Sequence, residues 1–262
     1  MSHLCHEFLE EKLGTAFCVQ TYDVVDSTNT LAREAAVAGA PEGTVILAER
    51  QRFGRGRMGR NFFSPSGTGL YMSLVLRPSS KISPLYITSA AAVAVAQAIE
   101  DIAGIPTGIK WVNDVYCREK KVCGILTEGA FDGTSSQLCY AILGIGVNVF
   151  SPSGGFPDDI KERAGAIFDA ETHLPAHTKE ELVIAILKRF LGYYGALSDK
   201  AFLKPYRSRD LLKNKPIEVL NLDGSVLTRA TALGITDDFA LKICGEDGIV
   251  STVSSGEVSV RL

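Results

Sequence analysis

Between two short apolar runs, Thr44–Glu49 and Leu70–Leu76, the chain carries Arg50, Arg52, Arg55, Arg57 and Arg60 among Gly54, Gly56 and Gly59. Closely spaced guanidinium groups repel one another, and no packed core accepts them without anions. The stretch is therefore expected to be a loop, with a short buried strand on either side. Its glycines remove side chains, so backbone N–H groups can approach a ligand. Guanidinium forks match phosphate and carboxylate oxygens at two points. From the loop alone two readings stand: an anion cradle, or a solvated basic loop that brushes nucleic acid. The bias reaches beyond the loop. From Arg50 to Ile99 there is no acidic residue and the charge is +7, so a total of −3 leaves −10 for the rest of the chain. A near-neutral total argues against a general nucleic-acid surface. The segregation points instead to a focused site for anions.

Gly54-Arg55-Gly56-Arg57-Met58-Gly59 also spells G-x-G-x-x-G. A dinucleotide-binding loop needs a helix directly after the glycines and an acid about twenty residues on. Asn61-Phe62-Phe63-Ser64-Pro65-Ser66-Gly67 cannot start a helix cleanly, and the acid is missing. The nicotinamide or flavin reading is set aside.

Around this loop the pattern is mixed. Ala16–Val25 reads as a strand. Ser27 is a plausible N-cap for a helix with Leu31, Ala35 and Ala38 on one face, ended by Gly39 and Pro41. Pro84–Ala103 reads as a long Ala-rich helix, Val122–Glu128 and Leu138–Val149 as strands, and Lys179–Leu197 and Asp199–Leu211 as helices. After Leu212 the character changes. Lys213-Asn214-Lys215-Pro216 is a polar joint. Turns at Asp223-Gly224, Asp237-Asp238, Glu246-Asp247-Gly248 and Ser254-Ser255-Gly256 then imply five short strands, a small barrel. The expected architecture is α/β (α+β), a mixed sheet flanked by helices over 1–211, then a β module over 212–262.

With 262 residues, 46% hydrophobic and 22% charged, the chain has the composition of an ordinary globular protein. The apolar run Ala90–Ile99 is too short for a membrane span and is broken by Gln97. The first residues carry Glu7, Glu10 and Glu11 rather than the basic start and apolar stretch of a signal peptide, so a cytoplasmic location is expected. The six cysteines form no C-x-x-C pair and read as reduced thiols, mostly packed in the core. His173 and His177 have helical spacing, but Pro175 between them spoils the helix.

A second constellation bears on the loop. Lys110-Trp111-Val112-Asn113-Asp114 precedes Lys121-Val122-Cys123-Gly124-Ile125-Leu126-Thr127-Glu128. A hairpin through Arg118-Glu119-Lys120 would bring Asp114 and Lys121 together. They would form either a surface ion pair or part of a site at a strand end. Gly144-Ile145-Gly146-Val147-Asn148-Val149 places Asn148 inside an apolar run. A buried Asn needs partners, and a ligand could supply them.

In this order, the elements resemble the biotin protein ligases. They comprise Asp26-Ser27-Thr28-Asn29, Glu49-Arg50-Gln51, the Gly54–Arg60 loop, Lys110–Asp114, Lys121–Glu128 and Gly144–Val149. Gly256–Arg261 resembles the family's closing strand. The resemblance implies a catalytic domain like the class II synthetases and biotin/lipoate ligases, followed by an SH3-like barrel. It implies a two-step reaction. Biotin and Mg²⁺-ATP form biotinyl-5′-AMP and pyrophosphate; the biotinyl group then passes to a lysine of the biotin carboxyl carrier domain of a carboxylase. Carried over by position, Ser27, Thr28, Asn29, Gln51, Arg55, Gly56, Arg57, Lys121 and Gly124 would bind biotin. Gly54, Arg57, Arg60, Phe62, Asn113, Lys121 and Asn148 would meet ATP. Lys121, Arg57, Lys110 and Asp114 would act in catalysis, Asp114 also as the Mg²⁺ ligand. Two residues depart from the family: Phe62 stands where a tryptophan is usual, and Val112 where a proline is usual. Only 25 residues precede Asp26, too few for a self-folding DNA-binding domain. No DNA or membrane partner is expected, and a homodimer is left open. The rivals are a lipoate or octanoate ligase and, in another class, a non-enzymatic anion or nucleic-acid binder.

Overall fold

The computed structural model describes residues 4–78, 82–132, 138–221 and 225–254, and the backbone of 259–261. Seven strands form the larger sheet: β1 (Cys18–Val25), β2 (Thr44–Gln51), β3 (Gly69–Leu76), β4 (Thr107–Lys110), β5 (Asp114–Cys117), β6 (Lys120–Phe131) and β7 (Leu138–Asn148). Their order is β1-β2-β3-β7-β6-β5-β4. Only β1 and β2 run parallel. They are joined by a crossover helix, α2 (Thr28–Val37), as a parallel pair requires.

Alternate residues of a strand face opposite sides of the sheet, and here the two sides are filled differently. On one side Ile46, Val75 and Ile142 pack under Ala32 and Ala36 of α2. On the other, Val45, Leu47, Leu74, Leu76, Leu143 and Ile145 join the main core. That core is closed by α3 (Pro84–Ala103) and α4 (Thr178–Tyr194). α3 is long and apolar enough to cross a membrane by length and composition. Here it is the core helix, with Ile87–Ala96 fully or nearly enclosed. Its ends follow local chemistry. Ser83 caps the start by accepting from Leu85 N–H, Pro84 opens the first turn, and Gly104 closes it in the left-handed region at φ 66°.

Five antiparallel strands make the smaller sheet: β8 (Pro216–Leu220), β9 (Val226–Ile235), β10 (Leu241–Gly245), β11 (Val250–Val253) and β12 (Ser259–Arg261). Their order is β11-β10-β9-β8-β12. The turns expected at Asp237-Asp238 and Glu246–Gly248 fall between strands; Asp223-Gly224 and Ser255-Gly256 lie outside the described residues. This sheet is tied to the larger one. Trp111 Nε1 donates to the Phe239 carbonyl at 2.8 Å, and the buried Phe239 ring stacks on Phe202 at 4.8 Å. Ile109 exchanges backbone hydrogen bonds with Arg209 and Leu211 at 2.7 and 3.0 Å.

Several expectations change. The helix expected over Asp199–Leu211 shortens to α5 (Leu203–Ser208), and Lys179–Leu197 ends at Tyr194. α1 (His6–Leu13) and β4 were not anticipated. The thiols are all free, but only Cys117 and Cys123 are buried, while Cys18 and Cys139 are exposed. Both exposed ones sit next to buried neighbours, Val19 and Leu138, and so point the other way from their strands.

Candidate active site

α2 covers only part of its side of the sheet. Beyond it, the register lays out successive rows across β3, β7 and β6: Val75, Ile142 and Glu128; Ser73, Gly144 and Leu126; Tyr71, Gly146 and Gly124. Asp114 of β5 pairs beside Gly124 and continues the last row. The glycines make this floor low enough to be occupied from above. A Cβ on Gly144 would lie 2.0 Å from Asn29 Oδ1, and one on Gly146 would lie 2.6 Å from the Phe62 ring. The result is a cavity of about 1010 Å³. It is roofed by the arginine–glycine loop and walled by Lys110–Asp114 and the segment after β7. Such a volume suits a ligand larger than a single small metabolite.

One end of the cavity is a chain of amide and hydroxyl hydrogen bonds, tied at its edge to one ion pair. Gln51 Oε1 accepts from Thr28 N–H at 2.9 Å and from Thr28 Oγ1 at 3.1 Å. Gln51 Nε2 donates to Ser64 Oγ at 2.9 Å, which donates to the Phe62 carbonyl at 2.9 Å. Ser73 Oγ donates to Asn29 Oδ1 at 2.6 Å and lies 2.8 Å from Thr28 Oγ1. Asn29 Nδ2 donates to Glu128 Oε2 at 2.8 Å, and Arg55 Nη2 to Glu128 Oε1 at 2.8 Å. Amid this paired set, Ser27 Oγ is buried with no partner among the described residues. A buried hydroxyl without a partner costs free energy that a ligand can recover.

The other end is cationic. Lys121 Nζ lies 2.6 Å from Asp114 Oδ1, the juxtaposition expected of the hairpin. Arg57 Nη1 donates to Asn113 Oδ1 at 3.0 Å, and Asn113 Nδ2 to the Ile125 carbonyl at 3.0 Å. Burial lowers the Arg57 pKa, with the Arg60 charge adding to it against the pull of Asp114. Lys110 is also held below the ordinary lysine range, by burial first and then by Lys121, Arg163 and Arg60, against Asp114. Burial, and then the Asp114 charge, push the Tyr116 hydroxyl up to about 12. Cations strained in this way gain from any anion that enters. Together the two ends can grip a neutral polar group and hold negative charge at a fixed distance from it.

Every site residue singled out from the sequence lies on this cavity's wall except Gly54. Gly54 sits behind it: a Cβ there would lie 2.4 Å from the Phe62 carbonyl, so the loop can double back only over a glycine. Residues with no role assigned from the sequence also contribute. Ser73 is hidden in the apolar run of β3, and Glu128 carries two of the ties above. The wall formed by Phe156, Ile160 and Arg163 has no motif to announce it. It is recruited by backbone pairing. Lys121 N–H donates to the Arg163 carbonyl at 2.8 Å, Gly165 N–H to the Lys121 carbonyl at 2.9 Å, and Asn148 Nδ2 to the Gly165 carbonyl at 2.9 Å.

Comparison with known proteins agrees with this geometry. Residues 21–148 match the model of the Biotin/lipoate A/B protein ligase family. The bifunctional ligase/repressor BirA of Bacillus spizizenii is 37% identical over 238 residues, which cover 89% of this chain and 71% of that protein. The biotin--[acetyl-CoA-carboxylase] ligase of Mycobacterium tuberculosis is 28% identical over 260 residues, covering 95% and 92%. The biotin protein ligase from Aquifex aeolicus, solved in complex with biotin and ATP, superposes with a TM-score of 0.75 at 29% identity, covering 93% of this chain and 98% of that one. With the fold, the cavity and relatives matched across most of both chains, this chain belongs to the biotin/lipoate A/B protein ligase family, and within it to the biotin protein ligases.

Proposed function

We propose that the cavity joins biotin to ATP, and that the chain then transfers the biotinyl group to a lysine of a carrier domain. The observation that carries this reading is the two-ended cavity itself. A neutral hydrogen-bonding end built on Thr28, Asn29 and Gln51 faces a cationic end built on Arg57, Lys110 and Lys121. Biotin has this same polarity, with a neutral ureido ring at one end and a carboxylate at the other.

In the first step, a carboxylate oxygen of biotin attacks the α-phosphorus of ATP. The bond from that phosphorus to the bridging oxygen breaks, and pyrophosphate leaves with its electron pair. Two anions must be brought together, so the work is positioning and charge neutralisation. Ser27, Thr28, Asn29 and Gln51 hold the ring end, with Gly124 leaving room above β6. Arg57 and Lys121 meet the carboxylate and α-phosphate. Arg60, Asn113, Asn148 and Phe62 serve the nucleotide, Phe62 as an aromatic platform. Lys110 faces the phosphates. In the second step the amine of the carrier lysine attacks the acyl carbon, AMP leaves, and the amine loses a proton. Asp114 orients that amine. The loop over the cavity keeps water from the mixed anhydride.

Magnesium fits this arrangement as an ion carried in on ATP. Among the described residues no three His, Cys, Asp or Glu side chains cluster as a metal site. Asp114, beside Lys121, offers its carboxylate to the cationic corner, and Mg²⁺ is commonly held by one or two carboxylates and substrate phosphates. When bound, the ion screens the charge of the phosphates.

The proposed partner is the biotin carboxyl carrier domain of a biotin-dependent carboxylase, met in the cytoplasm, with no DNA or membrane required. The segments 1–211 and 212–262 are read as the catalytic and barrel units. Biotin-dependent exchange of label between pyrophosphate and ATP tests the first step, and a mass shift of a carrier domain incubated with biotin and ATP tests the second. Exchange that responds to lipoate and not to biotin would refute the reading.

A further inference from the structure

Arg55 and Arg57 of the arginine–glycine loop both reach the cavity wall, but they are held by different chemistry. Arg57 donates to a neutral amide oxygen, Asn113 Oδ1, at 3.0 Å. Arg55 donates to a carboxylate, Glu128 Oε1, at 2.8 Å. With both partners charged, the Arg55–Glu128 bond is the stronger of the two. An entering phosphate or carboxylate therefore displaces Asn113 from Arg57 readily, whereas taking Arg55 away strands the Glu128 charge. Glu128 is also fixed from its far side, where Oε2 accepts from Asn29 Nδ2 at 2.8 Å. Asn29 lies in the first turn of α2, so one carboxylate joins β6, α2 and the loop. A second ion pair of the loop, Arg52 to Asp26 at 3.1 Å, is more exposed, at 58% and 64% against 39% and 26% for Arg55 and Glu128. Exposed pairs hold little.

We propose that Glu128 is a positioning residue. It spends the Arg55 charge inside the protein and pins the loop to α2 and β6. Arg57 is thereby left facing the ligand, and the loop stays closed over the adenylate. The identity of that ligand rests on the proposed ligase reaction; the pinning does not.

The test uses the full chain with Glu128→Ala, Glu128→Gln, Arg55→Ala and the double alanine variant. In ligand-free protein, trypsin cleavage within Arg52–Arg60 is expected to quicken by about 3- to 10-fold in the alanine variants. Release of labelled biotinyl-5′-AMP is expected to quicken by a similar factor. Glu128→Gln keeps an acceptor for Arg55 and should recover part of both effects. The double variant should be no faster than Glu128→Ala alone, because the two groups act as one tie. Unchanged cleavage overturns the proposal, as do effects of the two single variants that add. Faster cleavage with unchanged adenylate release overturns it too, since the loop would then be held without bearing on the ligand. If the wild-type chain retains no biotinyl-5′-AMP, the ligase reading fails, and cleavage alone decides the role of Glu128.

Discussion

Gly144→Ala should damage both stability and biotin binding through a single contact. The added Cβ would lie 2.0 Å from Asn29 Oδ1, a separation that non-bonded atoms do not tolerate. Asn29 cannot yield cheaply. It is 5% exposed and is held by the Ser73 hydroxyl at 2.6 Å and by Glu128 at 2.8 Å. Overpacking a core position costs about 1–3 kcal/mol, occasionally more. Turning Asn29 aside also breaks its two hydrogen bonds, at about 1 kcal/mol each. The sum, about 3–5 kcal/mol, is a large part of the ~5–15 kcal/mol that holds a typical domain together, so the variant folds but loses margin. Urea unfolding followed by the fluorescence of Trp111 measures the first effect. The biotin KM in pyrophosphate exchange measures the second, and it should rise because Asn29 begins the polar end of the cavity. Gly192→Ala is the control. Gly192 lies on an exposed face of α4, a Cβ there would meet nothing within 4 Å, and the change should stabilise by about 0.5–1 kcal/mol. A Gly144→Ala variant within about 0.5 kcal/mol of wild type, with its biotin KM unchanged, would refute the packing of Asn29 against β7.

Three further outcomes are expected. Lys121→Ala should reduce adenylate formation severely while leaving the far-UV circular dichroism unchanged; near-normal exchange would remove Lys121 from the chemistry. Lys179→Met should cost about 3–5 kcal/mol in urea unfolding, because among the described residues it leaves the buried Glu49 carboxylate, 2.9 Å from Lys179 Nζ, with the Leu4 N–H as its donor. The double change with Glu49→Gln should recover most of that loss, and an equal loss in both variants would show the pair is not coupled. The kcat/KM for ATP should fall as the pH rises through the Lys110 pKa, below the ordinary lysine range, because deprotonation removes a charge facing the phosphates. Lys110→Arg should move that fall to higher pH. For stability the sign is opposite: the unfolded chain binds this proton more tightly, so the penalty is present below the folded pKa and disappears as the pH rises.

What could be read from the sequence depended on whether the signal was local. α3 begins and ends where it was expected because Ser83, Pro84 and Gly104 act locally, within the turns at its two ends. β4 has no such signal. Thr107–Lys110 is a strand because Asp114–Cys117 pairs with it and Asp210 bridges to Ile109, and both are tertiary facts. α1 was hidden because only Leu9 and Leu13 of its residues are buried, too few to mark a face. The site divides in the same way. The loop arginines, Lys110–Asp114 and Lys121 stand out because charges gather beside apolar runs, whereas Thr28, Asn29 and Gln51 come only from the family resemblance. Ser73 does not stand out. Only the register that sets it against Gly144, under Asn29, gives its hydroxyl a purpose.

The charge segregation shows the same boundary. An acid-free stretch from Arg50 to Ile99 implies that its carboxylate partners come from elsewhere, but not which ones. The fold supplies Asp26 to Arg52 and Glu128 to Arg55, 26 and 73 positions away in the chain. It gives Arg57 the amide oxygen of Asn113. The sequence thus marks a set of like charges, and the three-dimensional pairing divides that set. Arg55, answered by a half-buried carboxylate, holds the loop in shape, and Arg57, met by an amide, is left for the ligand. That division is why residues of one type, spaced two apart, can do two different jobs.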